Sequence, residues 1–269
     1  MESSAPMSDF RLLAMATLKI YQRAASRACA GCLLNWRMLF VHLGGLALFA
    51  VLGGAAQLMG PIAGGFAAGL LLAVLLGAYF FTVSGAVLLE KLEFSEIKSR
   101  GFSLFAPVLS VLFSFFLLSI AVNLVFAQGG SAWIAAVFNL LIAVFFNPLP
   151  EIIYLHPSRA LDMFSESIEF IMENFIEWYL PFVLLLLPVA LFRPEALLAV
   201  GIAAATTNPF RFLEKFILLF GDFSLLLHSA GVIMVLLVCC YFVFAFRGAL
   251  YRELSASTRR KRIYQERFG

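Results

Sequence analysis

Five carboxylate side chains form a stripe along one predicted helix of this sequence. At about 100° of rotation per residue, their spacing keeps them within roughly 80° of one another on a helical surface. Like charges at such spacings repel one another, so the stripe must face water or a source of cations. The members of this acidic stripe are Asp162, Glu166, Glu169, Glu173 and Glu177. The opposite side of the same segment, 158–178, is apolar and carries Phe164, Ile168, Ile171 and Phe175.

The acidic stripe fits three kinds of role. A solvated helix face is the simplest. Electrostatic contact is the sharper alternative, because complementary fields fix the register of two surfaces. Its counterpart would be a partner subunit or a basic stripe of the same chain, formed by Lys19, Arg23 and Arg27. Metal or proton chemistry is the least favoured, because helical metal sites usually add histidine at Glu-x-x-His spacing and segment 158–178 contains none.

Histidine and cysteine do not indicate a cofactor or a metal. His42 begins the first predicted membrane span and His228 begins the last from the opposite face, so they cannot share a haem iron, and His156 lies outside the fourth span. Cys29 and Cys32 have C-x-x-C spacing, but no thioredoxin-like setting and no second such pair accompany them. We interpret this motif as helix packing and predict no cofactor and no metal.

The elements that carry these groups are predicted to be membrane helices. The chain is 62% hydrophobic and only 13% charged, with a mean hydropathy of +0.97, far from the soluble range. About 20 apolar residues are needed to cross the bilayer, and two of the six apolar runs, at about 15 residues, need help from flanking turns. The fold class predicted is an all-α, polytopic membrane protein with about six transmembrane helices and amphipathic interfacial helices. The runs are 38–59, 62–89, 104–126, 133–146, 178–192 and 223–246.

The positions of Lys and Arg predict the orientation. With six crossings, sixteen basic residues fall on the side of the two termini, and three on the other, namely Arg193, Arg211 and Lys215. This positive-inside bias places both termini in the cytoplasm. Segments 1–37 and 247–269 are then a cytoplasmic interfacial helix and a basic tail around a membrane domain, 38–246, and 194–222 lies along the outer interface. Anionic lipids at the cytoplasmic face are expected partners, and nucleic acid is not.

Two local motifs predict how helices begin and pack. Gly60-Pro61 turns the chain between the first two spans. Four glycines that begin at this turn have a spacing suited to close helix contact: Gly60, Gly64, Gly65 and Gly69. Asn147-Pro148 and Asn208-Pro209 are interpreted as helix starts, because Asn caps a helix N-terminus and Pro suits its first turn.

Short motifs at the two ends of the membrane domain resemble those of a known family. Tyr21 and Asn35-Trp36 precede the first span, and the segment from Phe246 to Leu254 leaves the last as a basic helix. Together they resemble the six-helix membrane domain in front of some bacterial glycerophosphodiester phosphodiesterases and in related inner-membrane proteins. The resemblance implies a bacterial inner-membrane location and no catalytic residue here, because the hydrolase domain of those enzymes is soluble.

The four long apolar runs carry no Asp, Glu, Lys or Arg in their interiors. Ion-coupled transporters and intramembrane hydrolases normally keep such groups at depth, which disfavours both classes. The function expected is a non-enzymatic membrane subunit that anchors or organises a larger envelope assembly with other membrane subunits. The alternative is a channel or transporter for a lipid or a small neutral solute, and a membrane-embedded enzyme is the third possibility.

Overall fold

A computed structural model describes residues 9–127, 132–192 and 230–258, together with Arg262 and Tyr264. These ranges form α-helices and contain no strand, in agreement with the predicted all-α class. The predicted outer segment 194–222 lies outside the described residues, as does Asn208-Pro209. The helices are α1 (Asp9–Leu34), α2 (Met38–Gln57), α3 (Pro61–Leu88), α4 (Phe94–Arg100), α5 (Phe105–Ala127), α6 (Ala132–Phe145), α7 (Leu149–Leu155), α8 (Ala160–Phe192) and α9 (Ala230–Ser255).

Four stretches of the described chain are long and apolar enough to cross a membrane. They are Met38–Ala56, Ile62–Leu88, Phe105–Val122 and Val137–Leu155. The last of them is longer than the apolar run 133–146, because it continues through the turn after α6 into α7. The chain is thus compatible with a membrane protein of at least four spans. The two remaining predicted spans correspond to the second half of α8 and to α9.

Helix α3 lies at the centre of the described structure, where it contacts α1, α2, α5, α7 and α9. Phe80, Val83 and Ala86 of its second half are fully buried. Two glycines permit close approach there: a Cβ at Gly77 would lie 3.2 Å from the Phe105 amide nitrogen, and one at Gly85 would overlap the Leu92 side chain. The second half of α3 therefore positions the surrounding helices.

Helix α1 packs against α9 and α3 along a narrow face. Every fourth residue on that face is buried, and most are small, so the helix axes approach closely. Gly31 makes the closest contact, because a Cβ there would overlap the backbone carbonyl of Ala86. The C-x-x-C glycine thus has a packing role. The buried residues are Leu12, Ala16, Ile20, Ala24 and Ala28.

The predicted glycine stripe on α3 is used mainly at its first position. Gly60 has φ of +86°, a left-handed conformation that glycine adopts without strain, and so allows the turn before Pro61. Gly64 is buried. A Cβ at Gly65 or Gly69, however, would meet no atom within 4 Å, so neither position requires glycine for the contacts described. A packing role for the stripe stays a prediction.

Helix α8 is continuous by hydrogen bonding but changes direction at Asn174, whose φ of −124° and ψ of 20° are not helical. Pro181 lies two turns further on, and its ring nitrogen cannot donate to the carbonyl of Glu177. The Tyr21 hydroxyl donates to that carbonyl instead, at 2.7 Å. The break separates an amphipathic half, which carries the acidic stripe, from an apolar half that begins at Trp178.

Candidate functional site

A buried ion pair joins α7 to α9. The Arg247 guanidinium donates to both carboxylate oxygens of Glu151, with Nε to Oε1 at 2.7 Å and Nη2 to Oε2 at 2.9 Å. Both side chains are buried, Glu151 at 0% and Arg247 at 8% exposure. Two parallel charge-assisted bonds fix the relative orientation of the two groups, and each charge compensates the other in place of water.

Aromatic rings and a backbone carbonyl complete the surroundings of Arg247. Its Nη2 also donates to the carbonyl of Asn147 at 2.7 Å. The guanidinium carbon lies 5.1 Å from the centre of the Trp178 ring and 5.3 Å from that of Phe182, which places two π-faces against the cation. Three helices therefore converge on one arginine.

The capping role predicted for Asn147 is wrong. Pro148 occupies the N-cap position of α7, and no side chain caps that helix. The side-chain oxygen of Asn147 instead accepts a hydrogen bond from the Trp178 indole at 3.0 Å. Trp178, 31 residues further along the chain, therefore uses the side-chain oxygen of Asn147 that would have capped the helix.

Gly248 lets α9 approach α7 beside the ion pair. A Cβ at this position would overlap the Tyr154 hydroxyl and would lie 2.7 Å from Val87 of α3. The Tyr154 hydroxyl donates to the carbonyl of Phe244 at 3.1 Å. No sequence pattern indicated Glu151, Arg247 and Gly248 as a group. The signal available was a lone acid and a lone base, each at the end of a predicted apolar run.

The acidic stripe divides into three parts in the structure. Glu177 is 2% exposed and lies 3.5 Å from the Arg262 guanidinium. Glu166 accepts a hydrogen bond from the Tyr251 hydroxyl at 2.6 Å and lies 3.4 Å from His156. Burial, and secondarily this bond to Glu166, raise the pKa of the Tyr251 phenol. The remaining members are exposed and make no ion pair with any described residue: Asp162, Glu169 and Glu173.

The basic stripe does not meet the acidic stripe at Arg23 or Arg27. Arg23 Nε lies 3.0 Å from Glu253 of α9, and Arg27 Nη1 lies 3.7 Å from the same carboxylate. Lys19 is exposed. The two arginines therefore hold α1 against α9. In the described structure they pair with Glu253 and not with the acidic stripe of α8.

The apolar side of the first half of α8 is only partly buried. Of the residues expected opposite the acids, Ile171 is buried whereas Ile168 and Phe175 are exposed. The buried face includes Ser167 and Asn174. The exposed apolar residues form one stripe beside the acids, here termed the outward apolar face: Leu161, Ile168, Met172, Phe175 and Ile176.

His42 lies in a second buried polar contact, where α2 meets α3 and α9. Its Nε2 is 2.6 Å from the Thr82 hydroxyl, which itself donates to the carbonyl of Tyr79. Since that hydroxyl proton is already used, Nε2 must carry the imidazole proton and donate to Thr82. The rings of Tyr79 and Tyr241 pack at 4.6 and 4.9 Å from that of His42. His156 is instead on the α7 to α8 connection, beside Glu166.

The C-x-x-C cysteines are free thiols in different surroundings. Cys29 is exposed and Cys32 is half-buried. Burial, and secondarily the nearby Cys29, raise the pKa of the Cys32 thiol to about 12. A reactive dithiol needs a lowered pKa, so this arrangement suits packing better than redox exchange.

Within the described residues, no group of three or more His, Cys, Asp or Glu side chains is placed to hold a metal ion. Comparison with known proteins gives no match: no protein-family model, curated protein or solved structure is significantly similar to this chain. Function is therefore inferred from the residues of the chain itself.

Proposed function

We propose that this protein is a non-enzymatic membrane subunit whose cytoplasmic face holds other chains of a larger envelope assembly. The observation that carries the proposal is the surface of the first half of α8. There the outward apolar face lies directly beside the exposed carboxylates Asp162, Glu169 and Glu173. An apolar stripe edged by one sign of charge is typical of helix-in-groove association.

The interior contacts support the same proposal. Glu151 and Arg247 satisfy each other's charge, and the hydroxyls of Tyr154 and Tyr179 donate to backbone carbonyls. The polar groups of the described core thus serve to join helices, as a scaffold requires. The proposal places the chain in a bacterial inner membrane with six spans and both termini in the cytoplasm, as the charge bias and the family resemblance suggest.

Lipid contact belongs to the proposal at the start of α2. Trp36 is exposed, the Arg37 guanidinium lies 5.9 Å from the centre of its ring, and Phe40 packs against its edge. Aromatic rings with adjacent basic groups are typical of the headgroup level of a membrane. Anionic lipid would be attracted there and repelled from the acidic stripe.

A photo-crosslinking amino acid at Met172, which is 71% exposed, tests the proposal in native membranes. We expect crosslinks to another protein chain, and we expect Asp162, Glu169 and Glu173 changed together to Lys to abolish them. Single surface pairs contribute at most about 1 kcal/mol, so a triple reversal is needed for a large effect.

The control reverses Glu90, Glu93 and Glu96, which lie off α8. It removes the capping box that Glu93 and Glu96 form at the start of α4 but leaves α8 intact, and it should leave the crosslinks unchanged. Crosslinks to lipid alone, or protein crosslinks unaffected by the α8 reversal, would contradict the proposal.

A further inference from the structure

The break in α8 is surrounded by side chains from both ends of the chain. Tyr21 of α1 donates to the carbonyl of Glu177, and the Asn174 side-chain amide donates to the carbonyl of Phe170 at 3.2 Å. Arg262, beyond α9, reaches the same place. Asn174, Glu177 and Arg262 are each no more than 3% exposed.

Arg262 uses several donors at this position. Its Nη1 donates to the carbonyl of Ser257 at 2.7 Å, and its Nη2 lies 3.3 Å from Asn174 Oδ1 and 3.5 Å from Glu177 Oε1. Its own backbone amide donates to the carbonyl of Thr258 at 3.1 Å. The rigid, forked guanidinium can thus connect the end of α9 to both sides of the α8 break.

The backbone at this point is weak in itself. Asn174 is not helical, and Pro181 removes the donor that the Glu177 carbonyl would have within the helix. Sharp kinks occur where proline or a lost backbone bond interrupts a helix, and residues that absorb such a change of dihedral angles can act as a hinge. The two halves of α8 are anchored separately, since Ser167 donates to the carbonyl of Phe145 and Trp178 donates to Asn147.

We propose that Arg262 is a latch that fixes the angle of the α8 break and so sets the position of the first half of α8. The regulatory consequence of this latch rests on the proposed function, because the first half of α8 carries the outward apolar face. With Arg262 released, the first half of α8 would vary in its angle about its remaining contacts, those of Ser167 with the Phe145 carbonyl and of Glu166 with Tyr251. The outward apolar face would then be presented differently to a partner.

Distances between spin labels on the full chain in lipid nanodiscs test the latch. In a variant without the four native cysteines, one label pair joins Ser165→Cys on α8 to Ser255→Cys on α9. A second pair joins Phe113→Cys on α5 to Val238→Cys on α9 and reports the membrane part alone. All four labelled positions are exposed.

We expect Arg262→Gln to broaden the first distribution by several ångströms and to leave the second unchanged. Arg252→Gln, the same charge change at an exposed position of α9, should leave both unchanged. An unaltered first distribution would overturn the latch, and so would broadening of both pairs, which would mean general loss of structure. These measurements involve no partner chain, so their outcome is independent of the crosslinking at Met172.

Discussion

Glu151 and Arg247 are both buried, so each depends on the other for the stabilisation of charge that water no longer provides. Sequence distance conceals this relation, because 96 residues separate them. The Arg247 guanidinium thus connects α7, α8 and α9, and it also contacts Asn147 and Trp178. Replacement of either partner leaves an uncompensated charge in the interior.

Glu151→Gln is therefore expected to lower the free energy of unfolding by about 3–5 kcal/mol, the usual magnitude for a broken buried pair. Unfolding in mixed detergent micelles measures this. Glu96→Gln is the control, because its pair with Arg100 spans 4.0 Å at a solvent-accessible site and Gln can still accept a hydrogen bond from the Glu93 amide in the α4 capping box. It should change stability by less than about 1 kcal/mol. Equal effects of the two substitutions would show that the buried Glu151 pair contributes no more to stability than the Glu96 pair does.

Cys32 gives a residue-scale prediction about reactivity. With its pKa raised to about 12 by burial, the thiolate fraction at pH 8 is on the order of 10⁻⁴, so maleimide labelling should be slow. In a background without Cys239 and Cys240, Cys32→Ala should leave rapid labelling at the exposed Cys29, and Cys29→Ala should nearly remove it. Similar rates at both sites, or a disulfide between them, would favour the redox interpretation.

At the scale of helices, close approach is achieved by glycines that a spacing pattern did not identify. Gly31 and Gly248 lie where another backbone or a tyrosine occupies the space of a Cβ, whereas Gly65 faces open space. Neither Gly31 nor Gly248 belongs to the predicted stripe of Gly60, Gly64, Gly65 and Gly69. Helix contacts within the chain therefore depend on which glycine faces a neighbour.

Gly248→Ala should destabilise the protein by about 1–3 kcal/mol, the range for overpacking, because the new methyl overlaps Tyr154. Gly65→Ala is the matched substitution. It should be neutral or stabilise α3 by up to about 1 kcal/mol through the higher helix propensity of Ala. Thermal unfolding of both variants in nanodiscs decides the matter, and a larger loss for the Gly65 variant would assign the packing role to the predicted stripe.

The α8 break permits a prediction about α1. Tyr21→Phe removes the hydroxyl that donates to the Glu177 carbonyl and should cost about 1 kcal/mol, a typical net hydrogen bond. In a Pro181→Ala background the cost should be smaller, because the substituted residue has a backbone N–H that can donate to the same carbonyl. A double-mutant cycle measures the difference. Equal costs in both backgrounds would show that Tyr21 does not compensate for the proline.

At the scale of the whole molecule, the number of membrane crossings determines the side on which each terminus lies. Four stretches of the described chain are long and apolar enough to span a membrane. The charge bias predicts that both termini lie on one side, and this requires an even number of crossings. Helices α8 and α9 supply the two further crossings of the proposed topology.

Reporters fused after Gly269 or inserted near Lys98 should therefore give cytoplasmic signals, and one near Arg193 should give the opposite signal. An enzyme active only outside the cytoplasm, paired with a fluorescent protein active only inside, measures each position both ways. An external signal at Gly269 with an internal one at Lys98 would remove the six-span topology and leave an odd number of crossings.

Composition and periodicity were sufficient to predict the helical character and the presence of helices long and apolar enough to span a membrane. Both depend on local properties: apolar length against the thickness of a bilayer, and rotation per residue. The hairpin at Gly60 follows for the same reason, because a positive φ is a property of one residue.

Only the tertiary structure decided the partners of the polar groups. Glu177 and Glu166 belong to one sequence stripe, yet one is buried against Arg262 and the other meets Tyr251. Arg23 and Arg27 have the spacing to face an acidic helix, but Glu253 of α9 lies nearer. The physical reason is that a helical pattern fixes which side chains share a face, whereas the choice among several oppositely charged faces depends on how the helices pack, through contacts such as Gly31 and Gly248 that carry no charge at all.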